Sequence, residues 1–390
     1  MRYLFVAILI LSSLFSFSQI KMINIGLYYG NKPIEAVVFT PVSGKYTLFT
    51  ENGKELELLT NEMIYISYEK NGIKVQNLDK VIGTFKNVNL IGVAAQNSFK
   101  IKCEKPNYKP RSYDDNLLIK QHDFDDRLVL INNVDLDNYV AGVVEAEVGP
   151  SPPEEYFKLQ AIICRTYALK SYDRHELEGF NLCDRVHCQA YHGRPRNFKI
   201  RMAAYETSGI VVVDSDINLI TAAFHSNCGG QTANSEEVWT KPVYYLSSVT
   251  DTFCLAENNA RWQKEIPKSK WLSYLHNKIH LDLNDSLSIA KAENIIQEKR
   301  QLFFRVDSVH QLNFTEIRHD FKLKSAYFDV IDKGNTVLFK GKGFGHGVGL
   351  CQEGAMRMAK MGYTYPEILH YYYRGVHMIH ISTLDFFKEE

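Results

Sequence analysis

The first third of the chain alternates short apolar runs with turn residues. Between residues 21 and 134, segments such as "KYTLFT", "MIYISY", "VIGTF" and "RLVLINNV" are rich in β-branched and aromatic residues, and Asn-Gly pairs at positions 52–53 and 71–72 separate some of them. Runs of this composition bounded by turn residues are typical of β-strands. The pattern predicts an all-β entry region, with a polar, proline-interrupted loop or weak boundary at residues 104–115.

The hydrophobic period lengthens to that of a helix at Tyr139. Tyr139, Val143 and Glu147 share one face of this predicted helix, which ends at Glu147. Glu145 is rotated by about 200° from Glu147, at roughly 100° per residue. Glu147 alone therefore extends the apolar face, where it is either the acid of an active site or a solvated carboxylate in the last helical turn.

A second helix is predicted directly afterwards. Ser151 is a suitable N-cap, Pro152 a suitable first helical residue, and Glu154 completes a capping box. The helix continues through "KLQAIICRTYALKSY", which is almost wholly apolar on one side and carries Arg165 among apolar neighbours. An arginine in such surroundings needs a partner, so we expect Arg165 to orient Glu147 or a substrate.

The rest of the chain mixes helical and strand patterns. Strands are predicted at "IVVV" and "LITAAF", helices at residues 198–207 and at "AMRMAKMG", and a final helix and strand from "YPEILHYYY" to "HMIHIS". The tyrosines of "HYYYR" are expected in the core. These patterns predict an α+β fold in which β-rich segments, with mixed or antiparallel sheets, pack around a few central helices.

The first 18 residues have the features of an export signal. "MRYLFVAILILSSLFSFSQ" has an early arginine, an apolar stretch and small residues placed for cleavage. The apolar stretch is shorter than the roughly 20 residues of a membrane span, and an uncleaved anchor is the alternative. We expect an exported protein, periplasmic, in the cell envelope or extracellular, with a signal peptide at residues 1–18, a β-rich region at 19–105 and a larger domain at 106–384.

Charge and composition narrow the class of partner. Lys and Arg together number 45, as do Asp and Glu, so the formal net charge is +0. This balance does not indicate a polyanion such as nucleic acid, whereas neutral glycans or small molecules fit it. Seven cysteines in an exported chain indicate at least one disulfide or a metal site.

One segment concentrates cysteine and histidine. Cys183, His187, Cys188 and His192 lie within "CDRVHCQAYH", a short distance after His175. Thiolate and imidazole are ligands that zinc prefers. The segment therefore predicts zinc, with a disulfide through Cys183 or Cys188, or plain surface histidines, as the alternatives.

Two glycine-rich segments carry polar side chains suited to the hydroxyl and acetamido groups of sugars. Adjacent glycines let the backbone approach a ligand closely, so both segments predict substrate-lining loops; a tight turn and a helix-packing motif are the respective alternatives. The candidate substrate residues are His225, Ser226, Asn227, Gly229, Gly230 and Gln231 in "FHSNCGGQT", and His346 and Gln352 in "GFGHGVGLCQEGA".

Four motifs together resemble the family of stage II sporulation protein D and the LytB amidase enhancers. They are "YVAGVVEAEV…LQAIICRTYAL", "CDRVHCQAY", "FHSNCGGQT…VW…YYLSSV.D" and "GFGHGVGLCQEGAMRMAKMGYTYPEIL.YYYRGV", and their order and spacing cover residues 110–382. The resemblance implies lytic cleavage of peptidoglycan glycan strands stripped of their stem peptides.

The resemblance also implies roles for single residues. Glu147 falls on the catalytic acid of the family, with Val148 in place of Met, and the zinc ligands of some members map to His175, Cys183 and His187. Cys188 belongs to the family signature "CQ.Y", which suggests a structural role for it.

One further position departs from the family pattern. Cys228 stands where the family often has Ser, and Cys254 follows closely. These two cysteines are therefore expected to pair.

A lytic transglycosylase needs only one carboxylate. The 6-hydroxyl of muramic acid attacks its own anomeric carbon, so one glutamate can protonate the leaving oxygen and then accept the hydroxyl proton, which produces a 1,6-anhydro end. Such a glutamate must stay protonated near neutral pH, and the apolar surroundings of Glu147 favour this.

Two other functions compete with this one. The first is a non-catalytic peptidoglycan-binding protein that stimulates a cell-wall amidase, as the LytB side of the family implies. The second is a thiol hydrolase using Cys188 or Cys351 with His187 or His346.

Overall fold

The computed structural model describes residues 22–148, 152–239, 241–307 and 309–383. The expected export signal and the predicted N-cap Ser151 lie outside these ranges. Within them, the chain divides into two compact units. The first unit comprises residues 22–148, 167–210 and 380–383, and the second comprises residues 152–166 and 211–379.

The first unit is built on two sheets. Its strands are β1 (Met22–Gly26), β2 (Ala36–Ser43), β3 (Tyr46–Thr50), β4 (Gly53–Leu58), β5 (Ile64–Glu69), β6 (Gly72–Gln76), β7 (Val81–Phe85), β8 (Asn87–Gly92), β9 (Ser98–Lys105), β10 (Arg111–Asp114), β11 (Asn116–Gln121), β12 (Leu128–Asp135) and β13 (Leu182–Cys183). The strand orders are β13-β1-β12-β11-β8-β3-β4 and β10-β9-β2-β5-β6-β7. The all-β entry region is thus confirmed, and both predicted Asn-Gly turns connect hairpins, β3 to β4 and β5 to β6.

Aromatic side chains from both sheets meet in the core of this unit. The rings of Phe39 and Phe99 stack at 5.1 Å, and Tyr46 packs edge-on against Phe39 at 5.2 Å. All three are fully buried. The segment at residues 104–115, predicted as a loop, also contributes β10, because Tyr113 is buried and stacks on Phe99.

Three helices follow the sheets in sequence. They are α1 (Leu136–Val148), α2 (Glu154–Lys170), which passes from the second unit into the first, and α3 (Phe198–Glu206). α1 begins three residues before the predicted Tyr139, because the Asp135 carboxylate accepts hydrogen bonds from the backbone N–H groups of Asp137 and Asn138, at 2.9 and 3.2 Å. α2 begins at Glu154 rather than at Pro152, since the following Pro153 disfavours helical backbone at position 152.

The second unit has smaller sheets and more helices. Its further elements are β14 (Ile210–Val213), β15 (Phe224–His225), α4 (Glu236–Trp239), β16 (Arg261–Pro267), α5 (Lys268–Ile279), α6 (Ser286–Glu293), β17 (Phe303–Arg305), β18 (Gln311–Asn313), α7 (Phe314–Asp320), β19 (Phe328–Asp332), β20 (Thr336–Lys342), β21 (Leu350–Cys351), α8 (Gln352–Lys360), α9 (Tyr365–Tyr372) and β22 (His377–His380). The three-stranded sheet β16-β20-β19 is antiparallel, whereas β15 and β21 pair in parallel.

The core of the second unit centres on Trp271, which is fully buried. Phe304 and Phe339 pack edge-on against its indole at 5.6 and 5.3 Å. The predicted strand "LITAAF" is mostly wrong: Leu219 forms one bridge to Val213, and only its last residue belongs to β15. The predicted elements "IVVV", α8, α9 and the final strand are confirmed, and Tyr372 and Tyr373 are buried as expected.

Helices and mixed or antiparallel sheets together confirm the α+β fold class. Among the described residues, none of the helices has both the length and the apolar character that crossing a bilayer requires.

Candidate functional site

Glu147 lies in the last turn of α1, half-buried within the first unit. Burial raises the pKa of its carboxyl group above the usual 4.5, and a hydrogen bond from the backbone N–H of Ala190, which acts in the opposite direction, does not cancel this effect. The C-terminal end of a helix is electrically negative and further disfavours ionisation. Glu147 therefore has the environment of a carboxyl group that can hold a proton for transfer.

Glu145, two residues earlier, has a different role. Its carboxylate accepts hydrogen bonds from the backbone N–H of Arg196, at 2.9 and 3.1 Å, and from the N–H of Asn197, at 2.8 Å. Asn197 is the N-cap of α3, so Glu145 ties the start of α3 to the end of α1. Both glutamates are half-buried, and the helical rotation between them directs Glu145 to the start of α3 and Glu147 to Ala190.

A cavity of about 840 Å³ lies beside this end of α1. Glu145 and Ala146 line it together with Arg111, Arg194, Arg196 and Arg201. Asp114 pairs with two of these arginines, at 3.1 and 2.7 Å, and is buried. Arg111 likewise pairs with the buried Asp184, at 3.1 Å, so among the described residues Arg196 is the lining arginine without an ion pair.

The segment rich in cysteine and histidine folds into one cluster. His175, Cys183 and His187, the predicted ligands, are joined by Cys188, and one ligand atom of each lies within 4.8 Å of all the others. Cys188 Sγ is 3.4 Å from His175 Nε2, and Cys183 Sγ is 3.8 Å from His187 Nδ1. The structure thus supplies a fourth donor, Cys188, that the sequence analysis set aside.

One histidine of this cluster is oriented by a carboxylate. His175 Nδ1 lies 2.5 Å from Glu178 Oε1, which leaves Nε2 directed at Cys188. Metal-bound histidines usually have such a partner on the second nitrogen. Cys183 and Cys188 are both free thiols, so the alternative of a disulfide at these positions is not what the structure contains.

The cluster and Glu147 are connected through the two residues that follow Cys188. Cys188 is followed by Gln189, which accepts a 3.4 Å hydrogen bond from Tyr139 of α1, and then by Ala190, whose N–H binds Glu147. α1 also approaches this loop closely at Gly142, where a Cβ would lie 2.4 Å from the Gly193 carbonyl oxygen. Whatever fixes the cluster therefore also fixes the hydrogen bond to Glu147.

The second unit brings the two predicted histidines together. The rings of His225 and His346 lie 5.5 Å apart, and Trp239 packs on His346 at 5.4 Å. Burial lowers the pKa of both histidines, that of His346 to about 4. Both rings are therefore neutral at physiological pH, and His225 Nε2 has no hydrogen-bond partner among the described residues.

The loop after β15 is held by its own polar side chains. Asn227 donates to Glu353 Oε2 at 2.5 Å and accepts from the Gly229 N–H at 2.7 Å, while Gln231 donates to Ser248 Oγ at 3.0 Å. Ser226 Oγ accepts a longer bond, 3.4 Å, from Asn259. These amides are engaged inside the protein, so they shape the loop as much as they offer contacts.

The glycines of this loop line a cavity of about 1010 Å³. Gly229 has a φ of +71°, and a Cβ there would lie 2.6 Å from the Lys342 backbone. Gly230 and Gln231 line the same cavity with Trp262 and Tyr327. Aromatic walls with a few polar groups are typical of ligand sites, and sequence analysis missed both aromatic residues because they lie in a region without a motif.

The remaining predicted residues are placed as follows. Arg165 is a fully buried residue of α2, and Gln352 is the half-buried first residue of α8. The predicted residues therefore form two groups, one per unit: Glu147 with the Cys/His cluster in the first, and the others in the second.

The expected pairing of Cys228 with Cys254 is wrong. Both are free cysteines, and their Sγ atoms lie 3.4 Å apart, whereas a disulfide bond is about 2.05 Å long. Asp251 and Cys351, from two other segments, contact the same pair. Cys228 and Cys254 therefore belong to a group of four side chains and not to an isolated pair.

Known proteins resemble this chain over most of its length. A family model described as stage II sporulation protein matches residues 125–213. Stage II sporulation protein D of Bacillus subtilis is 30% identical over 265 residues, which cover 63% of this chain and 74% of the relative. An uncharacterised protein of Brachyspira hyodysenteriae is 26% identical over 90% of this chain and 94% of its own length. The amidase enhancer of B. subtilis is 27% identical over 60% of this chain and 39% of its own length.

Proposed function

Because the chain belongs to the family of stage II sporulation protein D and the amidase enhancers, we propose that it is an exported peptidoglycan lytic transglycosylase. Its substrate is the glycan strand stripped of stem peptides, and its products carry 1,6-anhydro-muramic ends. The observation that carries the proposal is the half-buried Glu147, whose pKa is raised by burial at the end of α1.

Glu147 acts first as an acid and then as a base. Its proton passes to the glycosidic oxygen as the bond from that oxygen to the muramic anomeric carbon breaks. The 6-hydroxyl of the same sugar then bonds to the anomeric carbon, and its proton returns to the Glu147 carboxylate. No water is consumed, and the glutamate ends in its starting state.

The position of Glu145 supports a lytic rather than a hydrolytic reaction. Hydrolysis of a glycoside generally uses a second carboxylate as base or nucleophile. Glu145 is the nearest carboxylate in sequence, but two backbone N–H groups hold it at the start of α3. The intramolecular 6-hydroxyl removes the need for that second group.

The basic cavity beside α1 supports the choice of peptide-free strands. Removing a stem peptide leaves a free lactyl carboxylate on each muramic residue. Arg196 lines this cavity without an ion pair to any described carboxylate, whereas Arg194 beside it is paired with Asp114. Guanidinium groups bind carboxylates in two-point geometry, so stripped strands gain contacts there that peptide-bearing strands lack.

The residues of the second unit are proposed to bind the saccharide. The groove lined by Gly229, Gly230 and Gln231 offers backbone polar groups beside Trp262 and Tyr327. His225, Ser226, Asn227, His346, Arg165 and Gln352 remain proposed substrate residues.

A structural zinc is proposed for the Cys/His cluster. Two imidazoles and two thiols with all donors within 4.8 Å fit tetrahedral zinc, and Glu178 orients His175 as such a ligand requires. When bound, the ion supplies a fixed crosslink, and no step of the reaction uses it. This assignment leaves Cys188 a ligand and not the nucleophile of a thiol hydrolase.

The proposed location is outside the cytoplasm, in the periplasm, cell envelope or extracellular space. An amidase that strips the strands is a proposed partner, and membrane contact arises only if the signal is retained. The amidase enhancer among the relatives favours one alternative function, a non-catalytic strand-binding protein that stimulates such an amidase.

Digestion of purified peptide-free strands tests the proposal. Wild-type protein, Glu147→Gln and the matched control Glu145→Gln are compared, with products identified by mass spectrometry. We expect anhydro-ended fragments from wild type and Glu145→Gln, and a rate lower by about 10²–10⁴-fold for Glu147→Gln, the usual contribution of a general acid.

Two outcomes separate the competing functions. Products with reducing ends in place of anhydro ends would show hydrolysis. No products from wild type, with strand binding intact and a co-incubated amidase accelerated, would establish the enhancer function instead.

A further inference from the structure

A second cluster of side chains that could hold a metal ion lies in the second unit. It shares no residue with the Cys/His cluster of the first unit. Cys228, Asp251, Cys254 and Cys351 each direct one donor atom to a common centre, and these atoms all lie within 4.8 Å of one another. Cys228 Sγ is 3.4 Å from Cys254 Sγ and 3.2 Å from Asp251 Oδ2. All four residues are buried.

Separate parts of the fold bring these residues together. β15 and β21 pair in parallel, with His225 opposite Cys351, and this pairing places Cys351 beside the loop that carries Cys228. Asp251 and Cys254 come from the segment after the bridge between Gln231 and Thr250. The convergence thus depends on several long-range contacts and not on a local sequence motif.

Backbone N–H groups point at the sulfur atoms. Cys351 Sγ accepts from the N–H of Cys228 at 3.3 Å and from the N–H of Gly354 at 3.4 Å. The N–H groups of Gly229 and Gly230 are directed at Cys254. Donors of this kind stabilise thiolates, which are the metal-binding form of cysteine, and Cys351 also caps the N-terminus of α8, where a negative charge is favoured.

Hydrogen bonds also hold the Asp251 carboxylate in place. Asp251 Oδ2 accepts from the Tyr372 hydroxyl at 2.9 Å, and Oδ1 accepts from the Phe253 N–H at 2.9 Å. Outer partners of this kind fix metal ligands in position. The half-buried Arg300 guanidinium donates to the Cys228 carbonyl at 2.8 Å and places one positive charge next to the cluster.

Charge balance favours a cation at the centre. Three thiols and a carboxyl group are buried together, and the single charge of Arg300 would not balance them all in ionised form, whereas buried anions without enough counter-charge are costly. A tetrahedral zinc ion with Zn–S bonds of about 2.3 Å separates its sulfur ligands by roughly 3.8 Å. The observed separation of 3.4 Å between Cys228 and Cys254 is close to this value, so the site is sized for one ion.

We propose that Cys228, Cys254, Cys351 and Asp251 form a structural zinc site in the second unit. The ion connects the glycine loop, the segment around Asp251 and the start of α8. Gly229, which follows Cys228, and Leu255, which follows Cys254, both line the 1010 Å³ cavity. The metal therefore fixes two walls of that cavity.

Metal content of the full chain tests this site without reference to catalysis. The first cluster is disabled by His175→Ala with Cys183→Ser, and zinc is then counted by elemental mass spectrometry after purification without chelators. We expect about one zinc per chain to remain, and Cys254→Ser or Asp251→Asn in this background to lower its affinity by about 10-fold or more. Cys164→Ser, which removes a buried cysteine outside both clusters, is the matched control and retains the ion.

A spectroscopic measurement with the second cluster intact tests the site even if the variants of that cluster misfold. Cobalt replaces zinc in the protein with the disabled first cluster, and thiolate coordination gives intense near-ultraviolet charge-transfer bands that added zinc abolishes. Absence of these bands together with absence of bound zinc would overturn the proposal. So would a mass lower by two hydrogens that maps to a Cys228–Cys254 disulfide in protein isolated from its exported location.

Discussion

Two glutamates separated by one residue have opposite roles in the first unit. Glu145 is held by backbone N–H groups of the α3 N-terminus, whereas Glu147 receives one N–H and is half-buried. The half-turn of helix between them decides which carboxyl group links α1 to α3 and which one has its pKa raised by burial. Position on the helix, and not the acidic composition of the segment, therefore decides which carboxyl group suits the proposed reaction.

The raised pKa of Glu147 predicts how activity depends on pH. Because the proposed reaction needs the protonated carboxyl group, strand cleavage should fall as the pH rises through the folded-state pKa, which lies above 4.5. The measurement is the initial rate of anhydro-product release between pH 4 and 9. A cleavage rate that rises with pH over this range would show that Glu147 is not the acid.

The same pKa shift predicts a stability effect. A carboxyl group whose pKa is raised on folding favours the folded state below its unfolded pKa, and this contribution is lost as the pH rises through the folded pKa. Glu147→Gln imitates the protonated form at every pH. We expect it to melt at a higher temperature than wild type at pH 8 and at the same temperature at pH 4. A lower melting temperature at pH 8 would contradict this.

At the scale of elements, the loop from Cys183 to Tyr191 connects a candidate zinc cluster to the end of α1. The cluster comes immediately before Gln189 and Ala190, and these two residues contact Tyr139 and Glu147. Residues 185–187 in the middle of this loop are exposed, so an ion bound to His187 would restrict the part of the loop that packing does not hold.

Metal removal should therefore reduce activity indirectly. Chelation, or Cys188→Ser, is expected to lower the rate of strand cleavage by about tenfold or more, which is the usual effect of disturbing the surroundings of a metal site. Glu147 itself stays in place. Cys103→Ser, a buried cysteine of β9 outside the cluster, is the control and should keep full activity. Unchanged activity in protein shown to be free of zinc would separate this cluster from the reaction.

The close approach of α1 to the same loop gives a second prediction. Gly→Ala inside a helix usually stabilises a protein by roughly 0.5–1 kcal/mol. At Gly142 an added Cβ would lie 2.4 Å from the Gly193 carbonyl oxygen and 2.5 Å from the Tyr191 ring. We expect Gly142→Ala to destabilise the protein by about 1–3 kcal/mol, the usual cost of overpacking, in chemical denaturation. A gain in stability would show that the loop moves freely away from the helix.

For the molecule as a whole, the predicted boundary between a β-rich region ending at residue 105 and a domain beginning at residue 106 stays a prediction. The pairing of strands across this boundary suggests how to test it. β9 pairs with β10, β8 with β11 and β1 with β12, so partners from both sides of position 105 occur in both sheets. Unpaired strand edges promote aggregation.

A fragment beginning at residue 106 should therefore be less stable than one beginning at residue 19. We expect residues 106–384 to be insoluble or to lack a cooperative unfolding transition, while residues 19–384 fold. The measurement is thermal unfolding of both fragments by circular dichroism. A soluble, cooperatively folded shorter fragment would support an independent domain starting at 106.

Local pattern was sufficient for much of the fold. Strand alternation and Asn-Gly turns located the entry strands, and the helical period located α1, α3 and α9. The predicted bounds are wrong where residues outside the periodic pattern decide them. α1 begins early because Asp135 caps it, α2 begins late because of Pro153, and "LITAAF" lacks a continuous partner strand. Periodicity reports which face is apolar, but a strand also needs another strand to pair with.

The sequence by itself determined that Glu147, and not Glu145, continues the apolar face of α1, because helical rotation is a local property. It also marked the segment in which His175, Cys183 and His187 meet. Only the tertiary structure decided that Cys188 completes that cluster, that Ala190 donates to Glu147, and that Cys228 and Cys254 meet Asp251 and Cys351. Cys188 lies within 13 positions of its partners, whereas Cys228 and Cys351 are 123 positions apart. In both cases the geometry depends on how sheets and loops pack, which the order of residues alone does not specify.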